Sequence, residues 1–256
     1  MMASETVESA AAQLEAATGE EVLAWGIETF GPRLAVATSF QAEGMVILDM
    51  AARLSSQVRV FTLDTGRLPR ETYDFMAQAR RRYGIRLEVV FPDTAEVESM
   101  VGRYGPNLFY EAAPYRMLCC QIRKTRPLDR KLATLDAWVT GLRRGQSENR
   151  SAVRAVEIDR SHGGIVKLNP LAGWSAGDVE DYTQRHEVPR HPLYAQGYTS
   201  MGCAPCTRAT VPGEDPRAGR WWWESDAAKE CGIHFSPQGG GQRQLDVLIE
   251  EVLGGR

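Results

Sequence analysis

Between residues 33 and 168 the chain alternates short β-branched runs with longer segments of helical period, and this alternation leaves few folds open to it. Arg33–Phe40 (RLAVATSF), Val58–Leu63 (VRVFTL), Ile85–Phe91 (IRLEVVF), Ala137–Thr140 (AWVT) and Ile165–Leu168 (IVKL) read as buried strands. Between them EGMVILDMAARL, PRETYDFMAQARRRY and TAEVESMVGRY read as helices. The pattern predicts an α/β fold built on a doubly wound, mostly parallel sheet. Ahead of it Val7–Trp25, rich in Ala, Leu and Glu, predicts one amphipathic helix. Beyond Pro170, Ser175 is placed to cap a helix through DVEDYTQRHE. The remainder turns rich in Gly, Pro, Trp and Cys and reads as chemistry rather than core, with GGGQ at 239–242 as a linker to a short helix, LDVLIEEVL. The chain then divides into a helical segment 1–30, a nucleotide-binding α/β domain 31–200, and a Cys/Trp-rich C-terminal segment 201–256.

In such sheets ligands gather beyond the carboxyl ends of the strands, where loops and helix N-termini present unpaired N–H groups. Three loops qualify: Thr38–Gly44, which includes Ser39 and Phe40; Leu63-Asp64-Thr65-Gly66; and the basic Thr140–Ser147, which includes Gly141, Arg143 and Arg144. Each alone reads as an ordinary turn, and together they describe a nucleotide pocket. The formal charge of -3 argues against general nucleic-acid binding, so any anion site is local. No stretch approaches the roughly 20 apolar residues of a membrane span, and the start lacks a basic region followed by an apolar one. The expectation is a cytoplasmic protein without a membrane partner; self-association is left open.

Five cysteines sharpen the reading: Cys119-Cys120, Cys203-Ala-Pro-Cys206, and Cys231 in ECGIH. Four look like ligands and one like a nucleophile. Adjacent helical residues diverge by about 100°, which suits a four-iron cluster with its separated irons better than one small ion. Two buried small hydrophobes, a redox pair or half a zinc ribbon stay open as plainer readings. Lys124 follows Cys120 by four residues and so shares its helix face. Around Cys231, the cations Arg217, Arg220 and His234 are candidates either for lowering the thiol pKa or for cradling a leaving phosphate.

The set SFQAEG, LDTG, CCQIRKTRPL, TGLRRGQS, GC-x-x-C, RAGRWWWE and ECGIH, in that order from Leu34 to Phe235, resembles the assimilatory adenylyl-sulfate (APS) reductases of the phosphoadenylyl-sulfate reductase family. The resemblance implies an adenine nucleotide α-hydrolase-like fold and a [4Fe-4S] cluster on Cys119, Cys120, Cys203 and Cys206. It implies Cys231 as nucleophile, Lys124, Arg217, Arg220 and His234 at the phosphosulfate, and reduced thioredoxin as partner. Relatives using the 3′-phosphorylated nucleotide (PAPS) typically lack the four ligands, so the resemblance favours APS, with PAPS or dual specificity as the alternative. An ATP-dependent transferase of the same fold would need a phosphate-binding lysine in the first loop, where this chain has Gln41, Ala42 and Glu43. A zinc-stabilised interaction module is the non-enzymatic rival.

Overall fold

The computed structural model describes residues 4–224 and 240–254. The amino-terminal segment is two helices, α1 (Ser4–Leu14) and α2 (Gly19–Phe30), where the sequence reading expected one. The break is written in Thr18-Gly-Glu-Glu21. The Thr18 hydroxyl accepts from the Glu21 N–H at 3.2 Å, and the Glu21 carboxylate accepts from the Thr18 N–H at 2.7 Å. This capping box satisfies donors that a continuous helix would bury in its own ladder, so a new helix starts there.

The core alternation follows: β1 (Leu34–Ala37), α3 (Ala42–Leu54), β2 (Arg59–Leu63), α4 (Arg70–Tyr83), β3 (Leu87–Val90), α5 (Thr94–Tyr104), α6 (Ala113–Cys120) and α7 (Arg126–Leu132). Then come β4 (Ala137–Val139), β5 (Val156–Asp159), β6 (Ile165–Leu168), α8 (Ala176–Arg185) and α9 (Gly240–Leu253). The six strands form one sheet ordered β3-β2-β1-β4-β6-β5. The β1–β2, β1–β4 and β4–β6 pairs are parallel, and β5 runs antiparallel to β6 at the edge. The sheet is thus the doubly wound, mostly parallel one expected from the alternation. The sequence reading missed β5. Its VEID places acids where a buried strand has apolar residues, and it is the cross-strand partner that accommodates them: Glu157 sits opposite Lys167 in register, and Lys167 Nζ lies 3.4 Å from Glu157. Ser175 caps α8 as expected, its hydroxyl accepting from the Asp178 N–H at 3.1 Å.

By internal contacts the chain forms two compact units that cross the linear divisions at 30 and 200. The first comprises residues 1–62, 70–89 and 132–195 and holds nearly all of the sheet. Its core includes Leu23, Leu34, Ile47, Phe61, Phe75 and Trp138, all fully buried. The second comprises residues 63–69, 90–131 and 196–256. Its core joins Met100, Phe109, Leu118, Ile122 and Trp221 to Leu245, Leu248 and Val252 of α9. The C-terminal segment therefore builds core as well as bearing candidate chemistry, which corrects the reading of it as chemistry alone. Helix α9 also begins earlier than expected, since Gly240, Gly241 and Gln242 of the supposed linker are helical. The Ser99 hydroxyl of α5 donates to the Val252 carbonyl at 2.9 Å. Burying Leu248 and Val252 contributes about 1.5–3 kcal/mol each, ample to dock a helix that opens on two glycines.

Candidate active site

The four ligand-like cysteines come together within the second unit. Cys119, Cys120, Cys203 and Cys206 line one cavity of about 300 Å³, counting the part open to solvent, along with Thr65, Arg67, Phe109, Arg116, Arg123, Lys124 and Pro205. None of the four is in a disulfide.

Local sequence explains each approach. Helix α6 closes on the cysteine pair and gives way to a π-helical turn, Gln121–Thr125, before α7. The Arg126 N–H reaches back five residues to the Gln121 carbonyl. Pro127, lacking an N–H, cannot continue the ordinary ladder one residue later, so the widened turn sits just ahead of it. Lys124 was expected to share a face with Cys120 by α-helical spacing; the turn between them is π-helical, yet both side chains line the cavity. The second pair sits on a short turn, Ala204–Cys206, in which the Cys206 N–H donates to the Cys203 carbonyl at 3.0 Å. Three further bonds pin it. The Ala204 N–H donates to the Arg67 carbonyl at 2.8 Å, the Tyr110 hydroxyl to the Pro205 carbonyl at 2.8 Å, and the Trp221 N–H to the Cys206 carbonyl at 3.1 Å.

Electrostatics set the resting state of these thiols. Burial pushes the Cys119 thiol above its ordinary value, against the pull of Arg123. Cys206 is pushed up to about 12, by burial first and by Cys203 second. Metal ligation by thiolate must therefore release protons here. A raised thiol pKa in the fold stabilises the fold below the unfolded value and loses that contribution as pH rises through the folded one. Metal-free protein is accordingly expected to lose stability between about pH 9 and pH 12, measured as a falling unfolding midpoint with both ends buffered at equal ionic strength.

Among the described residues no three of His, Cys, Asp and Glu converge closely enough to hold a single metal ion. Four thiols on one cavity, beside a buried Arg123 Nε that has no acceptor among the described residues, are a donor set that fits a thiolate-held metal group, zinc or iron-sulfur alike.

The other expected site residues distribute as follows. Thr65, read as a nucleotide-loop residue, is buried with its hydroxyl 3.2 Å from Cys203 Sγ, so the LDTG loop braces the cysteine cavity. Asp64 accepts from the Gly66 N–H at 2.7 Å, closing that loop after Leu63. Arg220 is buried, donates to the Met201 carbonyl at 2.8 Å and lies 4.8 Å over the Trp221 ring. Gly202 makes room for it, since a Cβ there would lie 2.4 Å from the Arg220 Nη2. Gly202→Ala is expected to displace Arg220 and cost about 1–3 kcal/mol in urea unfolding, whereas Gly145→Ala, with open space around it, serves as the neutral control. Arg217 is half-buried on the turn before Arg220, its carbonyl accepting from the Arg220 N–H at 2.9 Å.

In the first unit Ser39 is exposed, and the Phe40 ring is fully buried against Phe75. Phe40 contributes its left-handed backbone (φ 58°) to the loop, with the ring spent on the core. Gly141 faces the start of α3. Arg143 is paired with Glu43 at 2.8 Å. Arg144 donates to the Val153 carbonyl at 2.8 Å and pairs with Glu15, so its guanidinium ties the loop to the segment after α1. Cys231 and His234 lie outside the described residues.

Sequence reasoning missed Arg67, Arg116 and Phe109 on the cavity wall. Arg116 had a legible signal. It precedes Cys119 and Cys120 by three and four residues, the same helical spacing that singled out Lys124 downstream.

No helix among the described residues is long and apolar enough to cross a membrane. The profile of the phosphoadenosine phosphosulfate reductase domain matches residues 33–209. The chain is 49% identical over 205 residues to the adenosine 5′-phosphosulfate reductase of Allochromatium vinosum, covering 79% of this chain and 80% of that protein. It is 46% identical over 200 residues to the adenosine 5′-phosphosulfate reductase of Burkholderia cepacia, covering 78% and 80%. Among solved structures it is similar to the phosphoadenylyl-sulfate (PAPS) reductase from Candida auris in a phosphate complex, with TM-score 0.68 and 28% identity over 82% of this chain and 98% of that one. With its sheet topology, its cysteine cavity and these matches together, the chain belongs to the phosphoadenosine phosphosulfate reductase domain family.

Proposed function

We propose that this protein reduces adenylyl sulfate to sulfite and AMP in assimilatory sulfate reduction, with Cys231 as nucleophile and reduced thioredoxin as electron donor. The observation that carries the reading is a four-cysteine cavity walled by Lys124 and Arg123, in a chain whose relatives are named for APS reduction. The Cys231 thiolate attacks the sulfate sulfur of APS; the bond from sulfur to the phosphate oxygen breaks, AMP leaves with the electron pair, and an S-sulfocysteine remains. A thioredoxin thiolate then attacks Cys231 Sγ and expels sulfite. The resulting mixed disulfide is resolved by the second thioredoxin thiol, which returns Cys231 as thiol and leaves thioredoxin oxidised.

Cys119, Cys120, Cys203 and Cys206 would hold a [4Fe-4S] cluster, which when bound supplies a compact negative charge beside the cations. Lys124, Arg123 and Arg67 on the same wall balance thiolate charge and keep net positive potential for a phosphosulfate. Lys124, Arg217, Arg220 and His234 are the residues read as holding that group. The favoured substrate is APS over PAPS.

The test of mechanism is anaerobic incubation with APS and no thioredoxin, followed by mass analysis of the Cys231 peptide. A sulfite-sized adduct is expected, and its absence with APS bound would sink the mechanism. The cofactor is tested by iron and acid-labile sulfide analysis of anaerobically purified protein. Cys206→Ser is expected to lose most of the bound iron and the visible absorbance, whereas stoichiometric zinc in colourless wild-type protein would favour the interaction-module reading.

A further inference from the structure

The sheet order places β1 between β2 and β4, with the chain running outward from β1 on one side and returning to β4 on the other. The strand order thus reverses at β1, and the loops after β1 and β4 lie at the carboxyl edge there, where doubly wound sheets bind ligands. In the first unit these loops touch. A Cβ on Gly141 would lie 3.0 Å from Glu43 Cβ and 3.5 Å from the Gly44 nitrogen, so only glycine lets the backbones approach this closely.

At that contact the β4 loop turns three N–H donors onto a single oxygen. Glu43 Oε1 accepts from Arg143 Nε at 3.0 Å, Arg143 Nη2 at 2.8 Å and Gln146 Nε2 at 3.0 Å. The loop is locked in this pose. Gln146 Nε2 also donates to the Gly141 carbonyl at 3.2 Å, the Arg143 N–H donates to Gln146 Oε1 at 3.1 Å, and Arg143 Nη1 reaches the Trp174 carbonyl at 3.3 Å. Arg143, the cation the sequence offers to an anionic ligand, is neutralised by an acid of the same fold.

We propose that Glu43 is a specificity-determining residue that makes the carboxyl edge at β1 and β4 accept a nucleotide with a free ribose hydroxyl and reject one with a ribose phosphate. The inference rests on the adenylate reading above and names the origin of its preference. All three bonds fall on Oε1, which leaves Oε2 without a protein donor among the described residues. A carboxylate oxygen in that state accepts from a hydroxyl and repels a phosphate. Dinucleotide-binding sheets use the same alternatives, an acid for the ribose hydroxyl and an arginine for the ribose phosphate. Here both groups are present, and the acid holds the arginine. Removing the carboxylate charge thus acts twice, abolishing a repulsion and releasing a guanidinium.

The test is calorimetric binding of AMP and of adenosine 3′,5′-bisphosphate, which needs neither turnover nor reductant. The wild type is expected to prefer AMP by at least about tenfold, and Glu43→Gln to narrow that ratio by about tenfold or reverse it. Adding Arg143→Gln to Glu43→Gln is expected to take back part of the gain; Glu43→Ala replaces Glu43→Gln if the latter fails to fold by circular dichroism. Binding of AMP with an unchanged ratio in the folded Glu43 variant overturns the proposal while the adenylate reading stands. A wild type that binds neither nucleotide overturns both.

Discussion

Cys231→Ser is expected to abolish turnover of APS, with a fall in kcat on the order of 10⁴-fold or more, while AMP still binds. The reasoning is chemical. Every electron pair in the proposed reaction passes through one sulfur, which first displaces AMP and then leaves sulfite behind when a second thiol attacks it. A serine hydroxyl has no acidity near neutral pH and forms no disulfide, so it fails at both steps; loss of a sole nucleophile elsewhere costs on the order of 10⁶ in kcat. The measurement is single-turnover sulfite release at saturating APS, paired with AMP affinity. Near-normal sulfite release from the serine variant would remove the residue from the mechanism. A collapse of AMP affinity together with the rate would instead mean that the substitution had damaged the nucleotide site.

Much of the fold was legible because it rests on patterns local to the chain. The five apolar runs became strands in the positions expected, and the helices between them started and ended within a few residues of their sequence limits. What was not legible depended on partners distant in sequence. The acids of β5 make sense only opposite Lys167, and Arg143 changes from an offered cation to a neutralised one only because Glu43 lies 100 residues earlier. Thr18-x-x-Glu21 was the opposite case, a local capping signal that was present and simply outweighed by the Ala/Leu content around it. The cysteine cavity stands between these. The pairs announced themselves by spacing, but that Thr65 braces Cys203 and that Pro205 is held by Tyr110 required the fold.

Glu224→Ala is expected to destabilise the second unit by about 3–5 kcal/mol. Glu224 and Arg116 form a bidentate pair, Nε to Oε1 at 2.8 Å and Nη2 to Oε2 at 3.0 Å, with their side chains only 7% and 6% exposed. Arg116 also lies 4.6 Å over the Trp221 ring, which Arg220 approaches too, at 4.8 Å. Truncating Glu224 leaves one guanidinium buried without its carboxylate, next to a ring already serving a second one. The contrast is Arg33–Asp136, whose side chains are 54% and 35% exposed; Asp136→Ala there is expected to shift the unfolding midpoint little, because water screens the pair. Replacing both buried partners, Arg116→Met with Glu224→Leu, removes the buried guanidinium along with its carboxylate and is expected to recover most of the loss. Because Arg116 lines the cysteine cavity, the double variant separates two roles. Recovered unfolding midpoints with poor iron retention would assign Arg116 to the site, recovered midpoints with full iron retention would assign the pair to packing, and a cost below about 1 kcal/mol for Glu224→Ala would show that this ion pair does not hold the unit together.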